Sequence, residues 1–219
     1  EKVGLIGRNG VGKSTLFGIL TGVDTDFTGE VAYRRGVSVV ATAQEHHGMS
    51  NQSVLAYVLH GLPEYSQLSH IIETYPDTMG DDLKMIEQYS SALERFDQKG
   101  FYQIEEQIER ELDEFQLPGI GHQQFSTLSG GQKRLVEVVK VMHSQAQLAL
   151  IDEPTNHMDM ESIEALQYAL SEYEGTLIFV SHDREFVSSL ATQVLELMPE
   201  RSVHYQGGYE DYLLSQETA

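Results

Sequence analysis

The sequence predicts an α/β fold, with a mostly parallel sheet, crossover helices and an inserted helical hairpin. Three observations carry that expectation. Short apolar runs at residues 3–6, 147–151 and 176–180 each lead into a turn and then a helix-like stretch, the pattern of strands covered on both faces. Between the first run and the second, apolar residues switch to spacings of three and four, the stripe of a helix packed on one side. After Pro118-Gly119 the strand–helix alternation resumes.

Taken in order, residues 13–20 read as a helix behind the first strand. The β-rich runs 30–33 and 37–42 are broken by Arg35-Gly36 and read as a strand pair. Residues 53–59 read as a short helix. Ile86, Tyr89, Leu93 and Phe96 form one apolar stripe, and Phe101, Ile104, Ile108, Leu112 and Phe115 form another. Asp97-Gln98-Lys99-Gly100 separates them, with glycine as the helix stop. The two stripes therefore read as a hairpin, within an insertion spanning about 60–118. Ser129 opens a helix to about residue 143. Further helices follow at 161–173 and from about 184, with strands at 194–197 and 203–205. Residues 1–219 read as one domain interrupted by the hairpin. The chain opens on Glu1-Lys2 and then directly on the first apolar run, so the expectation is a domain whose first strands lie upstream.

With 34 acidic residues against 14 basic ones, the formal net charge is −20. Such a surface is unsuited to gripping nucleic acid or an anionic membrane along its whole extent. A local anion site is compatible with it. Cysteine is absent, which excludes disulfides and cysteine-held zinc, fits a reducing compartment and makes a cytoplasmic location the expectation. No run approaches the ~18 apolar residues of a membrane span, so no membrane insertion is expected.

Gly7-Arg8-Asn9-Gly10-Val11-Gly12-Lys13-Ser14 fits G-x-x-x-x-G-K-[ST]. Glycines let backbone amides close around a phosphate, and the following helix aims its N-terminus at the same group. Asn9, Gly10, Val11, Gly12, Lys13, Ser14 and Thr15 are the candidate phosphate-binding residues. Lys13 would reach the terminal phosphates, and the Ser14 hydroxyl would ligate Mg²⁺. Asp152-Glu153 ends an apolar strand, where open α/β sheets bind ligands. Asp152 can hold Mg²⁺, and Glu153 is placed to orient and deprotonate a water attacking the γ-phosphate. Ser129-Gly130-Gly131-Gln132 sets a hydroxyl and two glycines at a helix start. That is either a second anion-binding helix end or an ordinary N-cap. His46-His47 lacks the further ligands of a metal site and reads as a solvated loop.

The glycine loop, Gln44, Leu128 to Gln132, Asp152-Glu153-Pro154-Thr155, Asp159 and Ser181-His182-Asp183 occur in that order. This resembles the ATP-binding cassette (ABC) ATPases, whose sheet is of the P-loop NTPase type. The resemblance implies an ATPase using Mg²⁺. It also implies that Gln44 links metal and water to the helical region, and that His182 contacts the γ-phosphate. Gln44, Glu153 and His182 are then the catalytic candidates, and Ser14, Gln44 and Asp152 the metal ligands. The family further implies that Ser129, Gly130, Gly131 and Gln132 close over ATP bound to a partner cassette, and that Asp159 couples the two sites. One motif set therefore calls for a second cassette, and the chain alone is expected to turn over ATP weakly.

Several details resemble the ABC-F branch, whose members act on ribosomes. They are Asn156-His157 within the Asp152–Asp159 stretch, the 84 residues between Gln44 and Ser129, and the close Tyr205-Gln206-Gly207-Gly208-Tyr209-Glu210-Asp211-Tyr212. The insertion sits where that branch carries its arm, more typically in the first cassette. Against a ribosomal partner stands charge: residues 61–120 hold 14 carboxylates and 4 basic residues, Lys84, Arg95, Lys99 and Arg110. Phosphate contact favours cations, so this arm should touch protein, or RNA only at those four positions. The rival reading is the motor subunit of a membrane transporter.

Overall fold

The computed structural model describes residues 1–42, 51–156 and 158–217. In chain order these form β1 (Lys2–Gly7), α1 (Lys13–Thr21), β2 (Val39–Ala41), α2 (Val54–His60), α3 (Tyr65–Thr78), α4 (Leu83–Gln98) and α5 (Ile104–Glu114). There follow α6 (Gly130–His143), β3 (Leu148–Asp152), α7 (Met160–Glu172), β4 (Thr176–Val180), α8 (Arg184–Leu190), β5 (Gln193–Leu197), β6 (Ser202–Tyr205) and α9 (Tyr209–Glu217). The chain divides into two compact units. One comprises Glu1–His46 with Ser129–Ala219, the other His47–Leu128.

The first unit is built on one sheet in the order β2-β3-β4-β1-β5-β6. All neighbours are parallel except β5 and β6. The register sets Leu5 beside Val180, Val180 beside Asp152, and Ala41 beside Leu150. Four strand ends thus finish together along one edge. Leu5, Leu150 and Val180 are buried with Phe17 of α1, and Val39, Ile178 and Leu195 pack against them. On β1, a Cβ added at Gly4 would meet Val187 at 3.2 Å and Ala191 at 3.3 Å. Glycine there lets α8 lie close on the strand.

Helix α6 buries a charge pair. Lys140 Nζ donates to Glu137 Oε2 at 2.7 Å, with the two side chains 11% and 1% exposed.

In the second unit, Tyr57 of α2 stacks on Phe125 at 4.0 Å between ring centres. Asp82 caps α4, accepting from the Lys84 and Met85 amides, and Gly100 makes the expected turn with φ +71°. Phe96 and Phe101 meet edge to face at 5.3 Å, with Tyr65 5.2 Å from Phe101.

Two readings are corrected here. Residues 30–33 form no strand. In place of a strand pair, β2 alone forms and pairs in parallel with β3, because β propensity acts only where a neighbour covers the strand. The helix packed most extensively on α4 is α3, which the sequence reading lacks, while α5 packs against α2. The stripe of α3 is present at Tyr65, Leu68, Ile72, Tyr75 and Met79. Pro76, a helix breaker by ordinary rules, sits inside the helix and hid it.

Three of the four basic residues in this stretch already serve carboxylates of the same unit. Arg95 donates two hydrogen bonds to Glu64 at 2.8 and 2.9 Å. Lys99 lies 3.6 Å from Glu64, and Arg110 lies 3.7 Å from Glu106. The Arg95 hydrogen bonds hold the Glu64 carboxyl below its ordinary range.

Candidate functional site

The loop from β1 to α1 needs its glycines. Gly7, Gly10 and Gly12 have φ of +148°, +79° and +108°, a region that L side chains rarely adopt. At Gly7 a Cβ would also come within 2.6 Å of the Leu197 carbonyl oxygen. Buried Lys13 opens α1 and turns back over this loop. Its Nζ donates to the Gly7 carbonyl at 2.9 Å and to that of Arg8 at 3.3 Å.

The next side chain meets the end of β3. Ser14 Oγ donates to Asp152 Oδ2 at 3.2 Å. Asp152 is seated by β2, since its amide donates to Thr42 Oγ1 at 3.3 Å while the Thr42 amide donates to the Leu150 carbonyl. Both Thr42 and Asp152 are buried. A hydroxyl and a carboxylate side by side are oxygen donors of the kind a hard divalent cation takes. Among the described residues no three His, Cys, Asp or Glu side chains gather as a metal cage. This donor pair therefore fits an ion that takes the rest of its shell from phosphate oxygens and water.

Glu153 follows with φ +48°, a costly conformation for a non-glycine residue. Its amide donates to the Val180 carbonyl at 2.9 Å, extending the β3–β4 ladder by one residue. One carboxylate oxygen, Oε1, lies 3.1 Å from His182 Nε2. The other, Oε2, is buried and has no hydrogen-bond partner among the described residues. Burial pushes this carboxyl above its ordinary range, and the neighbouring His182 opposes the shift. The two loops are also joined by hydroxyls. Thr155 Oγ1 and Ser181 Oγ lie 3.1 Å apart, and Ser181 Oγ accepts from the Asp183 amide.

These groups enclose a cavity of about 290 Å³. Asn9, Gly10, Gly12, Lys13, Ser14 and Thr15 line one side, and Asp152, Glu153 and His182 the other. Val11, Ser129, Gly130, Gly131, Gln132 and Asp159 are not among its lining residues. Ser129 and Gln132 cap α6 reciprocally, with the Ser129 amide donating to Gln132 Oε1 and the Gln132 amide to Ser129 Oγ. Asp159 caps α7 through the Ser162 amide, which holds its carboxyl below the usual range. Gln44, His46, His47 and His157 lie outside the described residues. Thr155 and Ser181 belong to the sequence motifs without an assigned role, and Thr42 was not singled out by sequence. Only their adjacency to strand ends could have pointed to their supporting role.

A family model described as ABC transporter matches residues 1–156. A protein of Escherichia coli O157:H7 described as probable ATP-binding protein YbiT is 38% identical over 215 residues, covering 98% of this chain and 34% of the relative. The energy-dependent translational throttle protein EttA of Haemophilus influenzae is 31% identical over 220 residues, covering 99% of this chain and 39% of the relative. The chain thus spans little more than a third of the length of these curated relatives. A solved structure of the ATP binding subunit of an ABC transporter superposes with a TM-score of 0.69 at 18% identity, covering 100% of this chain and 88% of that one. That likeness concerns the fold alone. The chain belongs to the ATP-binding cassette family, and the curated relatives matched along nearly all of it are ABC-F proteins.

Proposed function

We propose that this chain is the ATP-binding and hydrolysing cassette of an ABC-F type ribosome-associated translation factor, working with a second cassette so that two ATP molecules are sandwiched between them. The observation that carries the ATPase reading is the buried, unpartnered Glu153 Oε2 in a cavity shared with Lys13, Ser14 and Asp152. A buried carboxylate oxygen left without a hydrogen bond costs free energy. A water delivered to it would meet that need.

In this reading the loop amides from Asn9 to Thr15 bind the phosphate chain, and Lys13 exchanges its carbonyl partners for phosphate oxygens. Ser14 and Asp152, with Gln44, would hold Mg²⁺, which supplies charge neutralisation on the phosphates. Glu153 accepts the proton of the attacking water as its oxygen bonds to the γ-phosphorus. The bond from phosphorus to the bridging oxygen breaks, leaving ADP and inorganic phosphate. His182, 3.1 Å from Glu153, orients that carboxylate and faces the γ-phosphate. Ser129, Gly130, Gly131 and Gln132 act on the partner's ATP, and Asp159 couples the two sites.

Turnover by the chain alone is expected to be weak and to rise with its concentration. A steady-state phosphate assay across a dilution series checks this, and a robust rate independent of concentration would remove the partner cassette from the reading.

The ribosome half rests on relatives such as the protein whose name is translational throttle. With Arg95, Lys99 and Arg110 engaged by carboxylates, the arm is suited to a protein surface. Among the described residues no helix is long and apolar enough to cross a membrane. Sedimentation through a sucrose cushion, with ATP and the Glu153→Gln variant of the full-length protein, should carry the protein down with ribosomes. No enrichment over a no-ATP control would return the transporter motor to first place.

A further inference from the structure

A second cavity, of about 410 Å³, lies beside the first and shares Asn9, Lys13 and His182 with it. Its walls add Arg8, Arg184 and Glu196. The charge there is reversed from that of the chain. Arg8 and Arg184 have no carboxylate within ion-pair distance among the described residues. The one carboxylate, Glu196, accepts the hydroxyl of Tyr212 through Oε2. A protein of net charge −20 thus gathers Lys13, Arg8, Arg184 and His182 around a single occupied acid. Guanidinium groups pair with compact oxyanions by charge-assisted hydrogen bonds.

We propose that this second cavity is a subsite for inorganic phosphate, receiving the product after it leaves the nucleotide cavity past Lys13 and His182. The inference rests on the ATPase reading and deepens it. Lys13 and His182 border both cavities, so an anion leaving the γ position meets the second one directly beside the first. Arg8 and Arg184 then supply cations that the nucleotide loop does not use. Their guanidinium groups can meet a phosphate by paired, charge-assisted hydrogen bonds. The subsite would hold the product apart from ADP and disfavour the reverse reaction.

The test is titration of inorganic phosphate into this chain saturated with ADP and Mg²⁺, read by ³¹P line broadening and by the Arg Nε–H resonances. Phosphate should still bind with ADP in place, and Arg8→Gln with Arg184→Gln should weaken that binding about tenfold or more. ADP affinity, measured separately, should not change. Both arginines are exposed, so their replacement does not threaten folding. Three outcomes would overturn the proposal: no phosphate binding, binding abolished by ADP, or binding indifferent to both substitutions. Protection of Arg184 only by an added partner cassette, with no response to phosphate, would also overturn it and assign the cavity to a protein carboxylate. Failure of the ATPase reading shows elsewhere, as absence of ATP binding, whichever way the phosphate titration falls.

Discussion

If Glu153 is the base proposed above, replacing it with glutamine should lower ATP turnover by about 10²–10⁴-fold, the usual contribution of a positioned general base, and leave ATP binding intact. The side chains match in size, so the half-turn at φ +48° and the amide bond to Val180 persist. What is lost is a proton acceptor at the buried Oε2. The glutamine can still reach His182, so the pocket keeps its shape while the chemistry stops. Binding and turnover therefore separate in this variant. Filter binding of labelled ATP beside single-turnover phosphate release measures both. A variant that turned over like the unaltered protein would move the base elsewhere.

The second large effect lies away from the cavity. Lys140→Met should cost about 3–5 kcal/mol of unfolding free energy, the range found when one partner of a buried ion pair is removed. Glu137 is 1% exposed and has the Lys140 ammonium 2.7 Å away. Deleting that ammonium removes a charge in direct contact with the carboxylate without returning the carboxylate to water. Replacing both residues with apolar ones of similar volume should be close to neutral or stabilising, since the desolvation penalty goes with them. Urea unfolding of the two single variants and the double variant closes the cycle. A loss below 1 kcal/mol in the Lys140 variant would show that water reaches Glu137.

How legible these features were depends on range along the chain. The glycine loop, the strand end at Asp152-Glu153 and the cap at Ser129 are short local motifs, so the loop, the strand end and the helix start were legible in sequence. Strand runs that are buried on both faces announced β1, β3 and β4 in the same way. Contacts that join distant positions left no such trace. Neither the Thr155–Ser181 hydroxyl pair nor the Thr42 seat under Asp152 has a spacing rule. The partner of α4 was obscured by one residue, Pro76, whose missing N–H the helix tolerates. At 30–33, β-rich residues promised a strand that pairing did not supply. Glu137 and Lys140 sit three apart, yet only burial distinguishes them from a routine surface pair.

The place of β1 in the sheet has a consequence in time. The strand precedes β4 and β5 by more than 160 residues, yet they are its neighbours, with Lys2 beside Leu177 and Val3 beside Gln193. Closing such long loops is slow, because chain entropy is spent before any pairing rewards it. During synthesis the glycine loop is therefore present in sequence long before it is held in shape. The loop is held in shape only once β4 and β5 have been made, and so after the insertion between β2 and α6.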